Sequence, residues 1–304
     1  AIIASKSKNK TLSKIKYYPV LWYKPDVFHL QWARSIEDWI WVQDFGIKLV
    51  VSLRGAHINY TPITDPEIGL LYQKFFPKID GFHAVSKEIG KEAEKYGANK
   101  DKINVVYSGL NKVEFIKKTE GSKIFKIISV GRTHWKKGYN YALEACKALK
   151  DSSFKFEYHI IGAKDSEELV YLVDSYDLQK DVILLGNKPF EEAQKMMQSA
   201  SVLLLSSVEE GIANVALEAM QIGTIVLSTD CGGMNEVIEN GQNGFVVPIR
   251  NPQKMAESLL KIAQLSIEEK HAIIEKAKAT IHHQHMKEKM ISGMIALYQN
   301  VLNR

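Results

Sequence analysis

Short apolar runs alternate along the chain with longer stretches in which apolar residues recur every third or fourth position. VFHL (27–30), IKLVVSL (47–53), GFHAV (81–85) and INVVY (103–107) are brief, rich in β-branched and aromatic residues, and bounded by glycine or charge. Such runs predict buried strands. The segments 33–45, 67–78 and 87–96 between them keep the helical period and predict helices. Strand and helix in alternation predict a parallel sheet with helices on its faces, because parallel neighbours need a crossover connection.

A polar, aperiodic stretch at 111–122 then predicts a linker. A second series follows, with strands at 125–131, 156–162, 182–186, 201–207, 224–229 and 244–248. Helices are predicted at 139–149, 167–176, 190–199 and from Ala213 onward, then a short turn of helix at 235–239 and long helices from Pro252 to the end. The expected fold class is α/β, with two Rossmann-like doubly wound parallel-sheet domains, residues 1–118 and residues 119–304, the second carrying the closing helices. The first series holds about four strands against about six in the second and lacks a glycine-rich first strand–helix turn, so the first domain is expected to be truncated at its front.

Composition narrows the function classes. The 304 residues, 45% hydrophobic and 25% charged, suffice for about two globular domains. No apolar run approaches the ~18 residues of a membrane span and no signal peptide opens the sequence, so a cytoplasmic location is expected. Cys146 and Cys231 offer neither a disulfide framework nor metal spacing. A net charge of +5 suits a phosphorylated ligand, or peripheral contact with the inner face of a membrane, and no basic, aromatic-interleaved stretch points to nucleic acid. No G-x-G-x-x-G follows a strand, and no P-loop, H-E-x-x-H or Asp-x-Asp occurs, so neither a dinucleotide cofactor nor a metal is expected. His282, His283 and His285 read as a solvated helix end. Met196, Met197 and Met220 read as core filler, and Trp22, Trp32, Trp39 and Trp41 chiefly as cover for the first sheet.

The candidate chemistry lies in the second series. IISVG ends in Gly131 and is followed by Arg132, Lys137 and a helix, which sets two cations at the carboxyl end of a parallel strand, where open α/β sheets bind ligands. SVLLLSS ends just before Glu210 and Gly211, and the helix near Ala213 points its free N–H groups at the same crevice, a favourable place for phosphate. In VEEGIANVALEAM (208–220), Glu210 in the loop and Glu218 in the second helical turn bracket seven uncharged residues. Two carboxylates so separated suit hydroxyls at the two sugar ends of a nucleotide-sugar, with its diphosphate held by the cations between them.

"GRTHWKKG" (131–138), "VILLGNKPFEEAQKMMQSASVLLLSS" (182–207) and "VEEGIANVALEAMQIGTIVLSTDCGGMNEVIENGQNGFVVP" (208–248) resemble the retaining glycosyltransferases of family 4, which have the GT-B fold. The Glu-x7-Glu pair and G-G-x-x-E at Gly232–Glu236 make the likeness specific. It covers the second domain and extends more loosely to the first. It implies two domains facing a cleft and a metal-independent transfer of a hexose-type sugar, with retained anomeric configuration, from a UDP- or GDP-linked donor to a glycan or lipid-linked acceptor, as in surface polysaccharide assembly. On that likeness Arg132, Lys137 and Glu210 are catalytic candidates. Gly131, Gly211, Ile212, Ala213 and Asn214 line the donor, Gly186, Asn187 and Lys188 face the base, and Glu218 holds the ribose. The family often has His-Gly where this chain has Arg54-Gly55. An arginine cannot act as a general base, so Arg54, His57 and His83 are the possible acceptor-side residues. A nucleotide-sugar epimerase of the same fold and a non-catalytic sugar-nucleotide binding protein are the competing readings.

Overall fold

The structure, a computed structural model, describes residues 15–113 and 124–304. The expected linker and the boundary at 118/119 therefore lie largely outside the described residues. Two parallel sheets are present. The first joins β1 (Val27–Leu30), β2 (Lys48–Leu53), β3 (Gly81–Ala84) and β4 (Ile103–Val105) in the order β1-β2-β3-β4. The second contains β5 (Phe125–Val130), β6 (Phe156–Ile161), β7 (Val182–Leu185), β8 (Val202–Leu205), β9 (Ile225–Thr229) and β10 (Phe245–Val247), in the order β10-β9-β8-β5-β6-β7. Its strand order reverses between β5 and β8, and a ligand crevice opens at such a reversal, beyond the carboxyl ends of those two strands.

Helices α1 (Pro66–Phe75) and α2 (Lys87–Glu94) serve the first sheet. Around the second lie α3 (Tyr139–Asp151), α4 (Glu167–Ser175), α5 (Phe190–Ser199), α6 (Asn214–Ile222), α7 (Pro252–Gln264) and α8 (Ile267–Gln284), and α9 (Lys287–Leu302) ends the chain. Polar residues start several of them. Ser86 accepts from the Ile89 amide, Asn251 from Lys254, and Ser266 with Glu269 forms a reciprocal capping box. Adjacent residues of β5 enter different cores, Ile127 with α3, α4 and α7, Ile128 with α5, α6 and α8. That is the two-residue alternation of a strand buried on both faces.

Three local expectations change. Residues 33–45 form 3-10 turns around a single helical turn, Ile36–Trp39, because the tryptophans leave the helical path to pack. Trp39 stacks on Phe28 with ring centroids 4.4 Å apart, and the Trp41 indole donates to the Asp38 carbonyl at 2.8 Å. The short helix predicted at 235–239 is a 3-10 turn at Gly232–Glu236. The third change concerns α9, expected among the closing helices of the second domain. It packs on the first sheet, where Leu297 and Val301 join Val50 in a buried cluster and Val301 covers Gly81. The chain crosses between lobes at two adjacent points, tied by Leu110 N to His285 O (2.7 Å) and Lys287 N to Leu110 O (3.0 Å). His285 is fully buried at this crossing rather than solvated. No helix among the described residues is long and apolar enough to cross a membrane.

Candidate functional site

Two loops leave the carboxyl ends of β5 and β8 and are knitted together. Val208 N donates to Lys136 O at 2.6 Å, and Ser206 Oγ donates to Lys137 O at 2.8 Å. Gly138 has φ +60°, and a Cβ there would lie 2.2 Å from the Ser206 carbonyl oxygen, so only glycine permits the approach. The knitting sets Lys137 Nζ 2.6 Å from Glu210 Oε1 and Lys136 Nζ 3.6 Å from Glu210 Oε2. Ser207 Oγ donates to Glu210 Oε1, the oxygen that Lys137 meets, at 3.2 Å. The three charged side chains are only 11–16% exposed, so solvent screens them weakly. Tyr139 donates to the Gly131 carbonyl at 3.0 Å, and burial, then the nearby Glu210, raises its hydroxyl above the ordinary phenol range.

Arg132 is exposed and forms no hydrogen bond or ion pair among the described residues. The neighbouring His134 ring is held below its ordinary pKa by burial first, then by Lys136, Arg132 and Lys137. Gly211, Ile212 and Ala213 are buried beside the turn, and Asn214 is exposed as the first residue of α6 rather than its cap. The Ala213 amide, expected to face a ligand, donates instead to Met234 Sδ at 3.4 Å. Glu218 is half-buried in α6; its carboxylate has no hydrogen-bond or ionic partner among the described residues, and burial raises its pKa. Gly186, Asn187 and Lys188 follow β7 at the same edge, with Lys188 paired to Glu192 at 2.6 Å.

Across the gap stands the first lobe. Gly55 has φ +99°, and a Cβ on it would lie 3.3 Å from Gly211 N, so the two backbones meet almost directly. Arg54 is exposed and donates to Gln31. The His57 ring sits edge-on to Trp32 at 4.5 Å, its Nδ1 buried without a partner. Burial first, then Arg34 and Lys136, depresses its pKa. His83 is elsewhere. Its Nε2 donates to Val106 O at 2.9 Å and its Nδ1 accepts from Ser52 Oγ at 2.8 Å, inside the first core. Both ring nitrogens are used, so His83 is withdrawn as an acceptor-side candidate.

Lys136, Ser207, Asn59 and Glu209 were missed by sequence reasoning. Lys136 could have been found from its place beside Lys137. Asn59 carried no signal; it donates across the lobes to Glu209 Oε1 (2.5 Å) and to the Glu210 carbonyl (3.3 Å). No cluster of metal-ligating side chains occurs among the described residues.

Residues 111–280 match the family model of the glycosyl transferases group 1. The chain is 28% identical over 310 residues to WcaL of Escherichia coli (strain K12), whose name ascribes to it a glycosyltransferase role in colanic acid biosynthesis; the match covers 97% of this chain and 75% of WcaL. It is 32% identical over 226 residues to the amylovoran biosynthesis glycosyltransferase AmsK of Erwinia amylovora, over 71% of this chain and 55% of AmsK. The chain thus spans about half to three-quarters of these relatives. A glycosyltransferase from Rickettsia africae ESF-5 superposes with a TM-score of 0.81 at 20% identity, covering 98% of this chain and 84% of that one. Anabaena Alr3699/HepE in complex with UDP-glucose superposes with a TM-score of 0.78 at 16% identity, covering 97% and 82%. At these identities the likeness concerns the fold, which is GT-B.

Proposed function

Because the chain belongs to the glycosyl transferases group 1, we propose that it moves a hexose-type sugar, with retention of anomeric configuration, from a UDP- or GDP-linked donor to a glycan or lipid-linked acceptor. The names of WcaL and AmsK support a place in the assembly of a surface polysaccharide, in the cytoplasm or at the inner membrane face. The observation that carries the donor reading is the meeting of Lys137 with Glu210, 2.6 Å apart, at the reversal of the second sheet.

In this reading Lys137, free of Glu210 once a donor arrives, and Arg132 neutralise the diphosphate, helped by the N-terminus of α6. Charge grows on the leaving phosphate as the bond to the sugar breaks, and preorganised cations there need no divalent metal. Glu210 faces the positive charge that develops on the transferred sugar. Glu218, half-buried and without a partner, holds the ribose hydroxyls, and the Gly186–Lys188 loop meets the base. Arg54 and His57 stand on the acceptor side. Closure of the lobes excludes water from the reacting carbon. The nucleotide-sugar is a co-substrate, with no further cofactor and no nucleic-acid partner.

A thermal-shift panel of UDP-, GDP- and ADP-sugars tests the reading. One nucleotide should raise the parent melting temperature by several degrees and raise that of Glu218→Ala much less. Equal shifts in both proteins remove Glu218 from the ribose role, and no shift with any donor removes the donor reading.

A further inference from the structure

The lobes touch through contacts that the groups proposed for transfer do not explain. Glu236, the last residue of G-G-x-x-E, makes two of them. Its carboxylate accepts the Lys87 amide at 2.9 Å, the Glu88 amide at 3.0 Å and the Tyr107 hydroxyl at 3.0 Å. The two amides belong to α2 of the first lobe, while Glu236 hangs from the second; Tyr107, which follows β4, packs against the second core. The opening N–H groups of a helix lack intrahelical partners, and a carboxylate is the best charge to meet them. At α2 the work is divided: Glu236 takes the first two amides, and Ser86 Oγ takes the third, Ile89, at 3.1 Å. The Tyr107 hydroxyl is pushed up to about 12, by burial and then by the Glu236 carboxylate, which fits a phenol donating to an anion.

The same motif reaches the reaction turn. A Cβ on Gly232 would lie 1.8 Å from the Glu210 carbonyl oxygen, and one on Gly233 would lie 2.5 Å from Gly211 O and 2.6 Å from Ser86 Cβ. Only glycine lets these three segments, drawn from both lobes, meet. Gly233 N donates to Gly211 O at 2.7 Å. From the first lobe, Asn59 grips the other side of the turn through Glu209 and the Glu210 carbonyl.

We infer that Glu236 is a positioning residue: by latching α2 to the second lobe, it holds the Glu210–Gly211 turn against Gly55 and the acceptor-side residues. The catalytic consequence rests on the transfer reading above; the latch itself does not. Lys137, Glu210 and Glu218 all hang from the second lobe, so losing the latch leaves donor affinity in place and loosens the meeting of donor with acceptor side.

Residue-resolved amide exchange on the parent chain, Glu236→Ala and Glu236→Gln tests the latch without any donor. In Glu236→Ala the Lys87 and Glu88 amides should exchange at least about ten-fold faster, with Ile89 at its parent rate. Glu236→Gln retains one acceptor oxygen and should fall between. Unchanged rates at Lys87 and Glu88 overturn the latch, and equal acceleration at Ile89 overturns it in favour of simple unravelling of α2. Nucleotide release from UDP-glucose, GDP-mannose and ADP-glucose, each offered with a panel of alkyl glycosides as acceptors, then tests the positioning role. In Glu236→Ala, kcat should fall at least about ten-fold with the donor KM within about two-fold of the parent. Faster exchange with unchanged kcat overturns positioning. A parent chain that is silent with every donor and acceptor, and whose melting temperature none of the donors shifts, overturns the transfer reading, while the exchange rates still decide the latch.

Discussion

The two lobes use the same parallel-sheet plan and put polar side chains in opposite places. In the second lobe the order β10-β9-β8-β5-β6-β7 reverses beside β5, and Lys136, Lys137 and Glu210 gather at that reversal. In the first, β1 to β4 run in simple succession, with no reversal among the described strands. Its polar groups turn inward. Because Val106 O can only accept, His83 Nε2 carries the proton there and His83 Nδ1 accepts from Ser52. Ser52 Oγ must then accept from His29 Nε2 at 2.9 Å, and His29 Nδ1 accepts from Tyr298 of α9 at 2.8 Å. The chain of donors runs one way through two neutral histidines and pins the terminal helix to the first sheet. Topology, more than residue type, separates charges gathered at a crevice from polar groups closed into a core.

The sharpest way to break the comparison is Lys137→Ala. On the transfer reading this removes a preorganised charge beside the leaving group and should lower the transfer rate by about 10²–10³, or ~3–4 kcal/mol, with the melting temperature little changed. A rate within about three-fold of the parent would erase the chemical distinction between the lobes.

Ser52→Ala should do the converse. It leaves His83 Nδ1 and the His29 Nε2 proton without partners in the first core, at a cost of about 1–3 kcal/mol in denaturant unfolding, while nucleotide binding by the second lobe persists. A loss of binding comparable to the loss of stability would mean the network serves the site.

The smallest effect is in pH. Burial first, then His83 and Arg54, lowers the His29 pKa to about 4, below its ordinary value of 6.5. Between those values the unfolded chain binds more protons than the folded one, so this contribution to stability is complete above about pH 6.5 and is lost as pH falls toward 4. The melting temperature should drop across that window, and His29→Gln, which cannot take up the charge, should drop less. Equal slopes would show that His29 keeps its ordinary affinity for protons in the fold.

Much of the fold was legible because strands buried on both faces need nearly continuous apolar runs, as in IKLVVSL and SVLLLSS, and glycine and proline mark where they stop. Residues 33–45 misled because their apolar positions fit a helix while tryptophan packing dictated the path. Glu210 and Glu218 stood out as charges at the two ends of an uncharged segment, and Lys137 as a cation just past a strand end. Glu236 carries only a motif and a short predicted turn in the sequence, and nothing local shows that it caps α2 of the other lobe.

What the sequence alone determined was local: where strands and helices form, which charges interrupt apolar segments, and which glycines sit beside them. Only the tertiary structure decided which loops meet. It brought Lys136 and Asn59 to the Glu209–Gly211 turn, withdrew His83 into a core and carried α9 back to the first sheet. The physical reason is that periodicity records how a residue faces its own element, whereas contacts such as Asn59 to Glu209 join positions far apart in the chain and leave no local pattern.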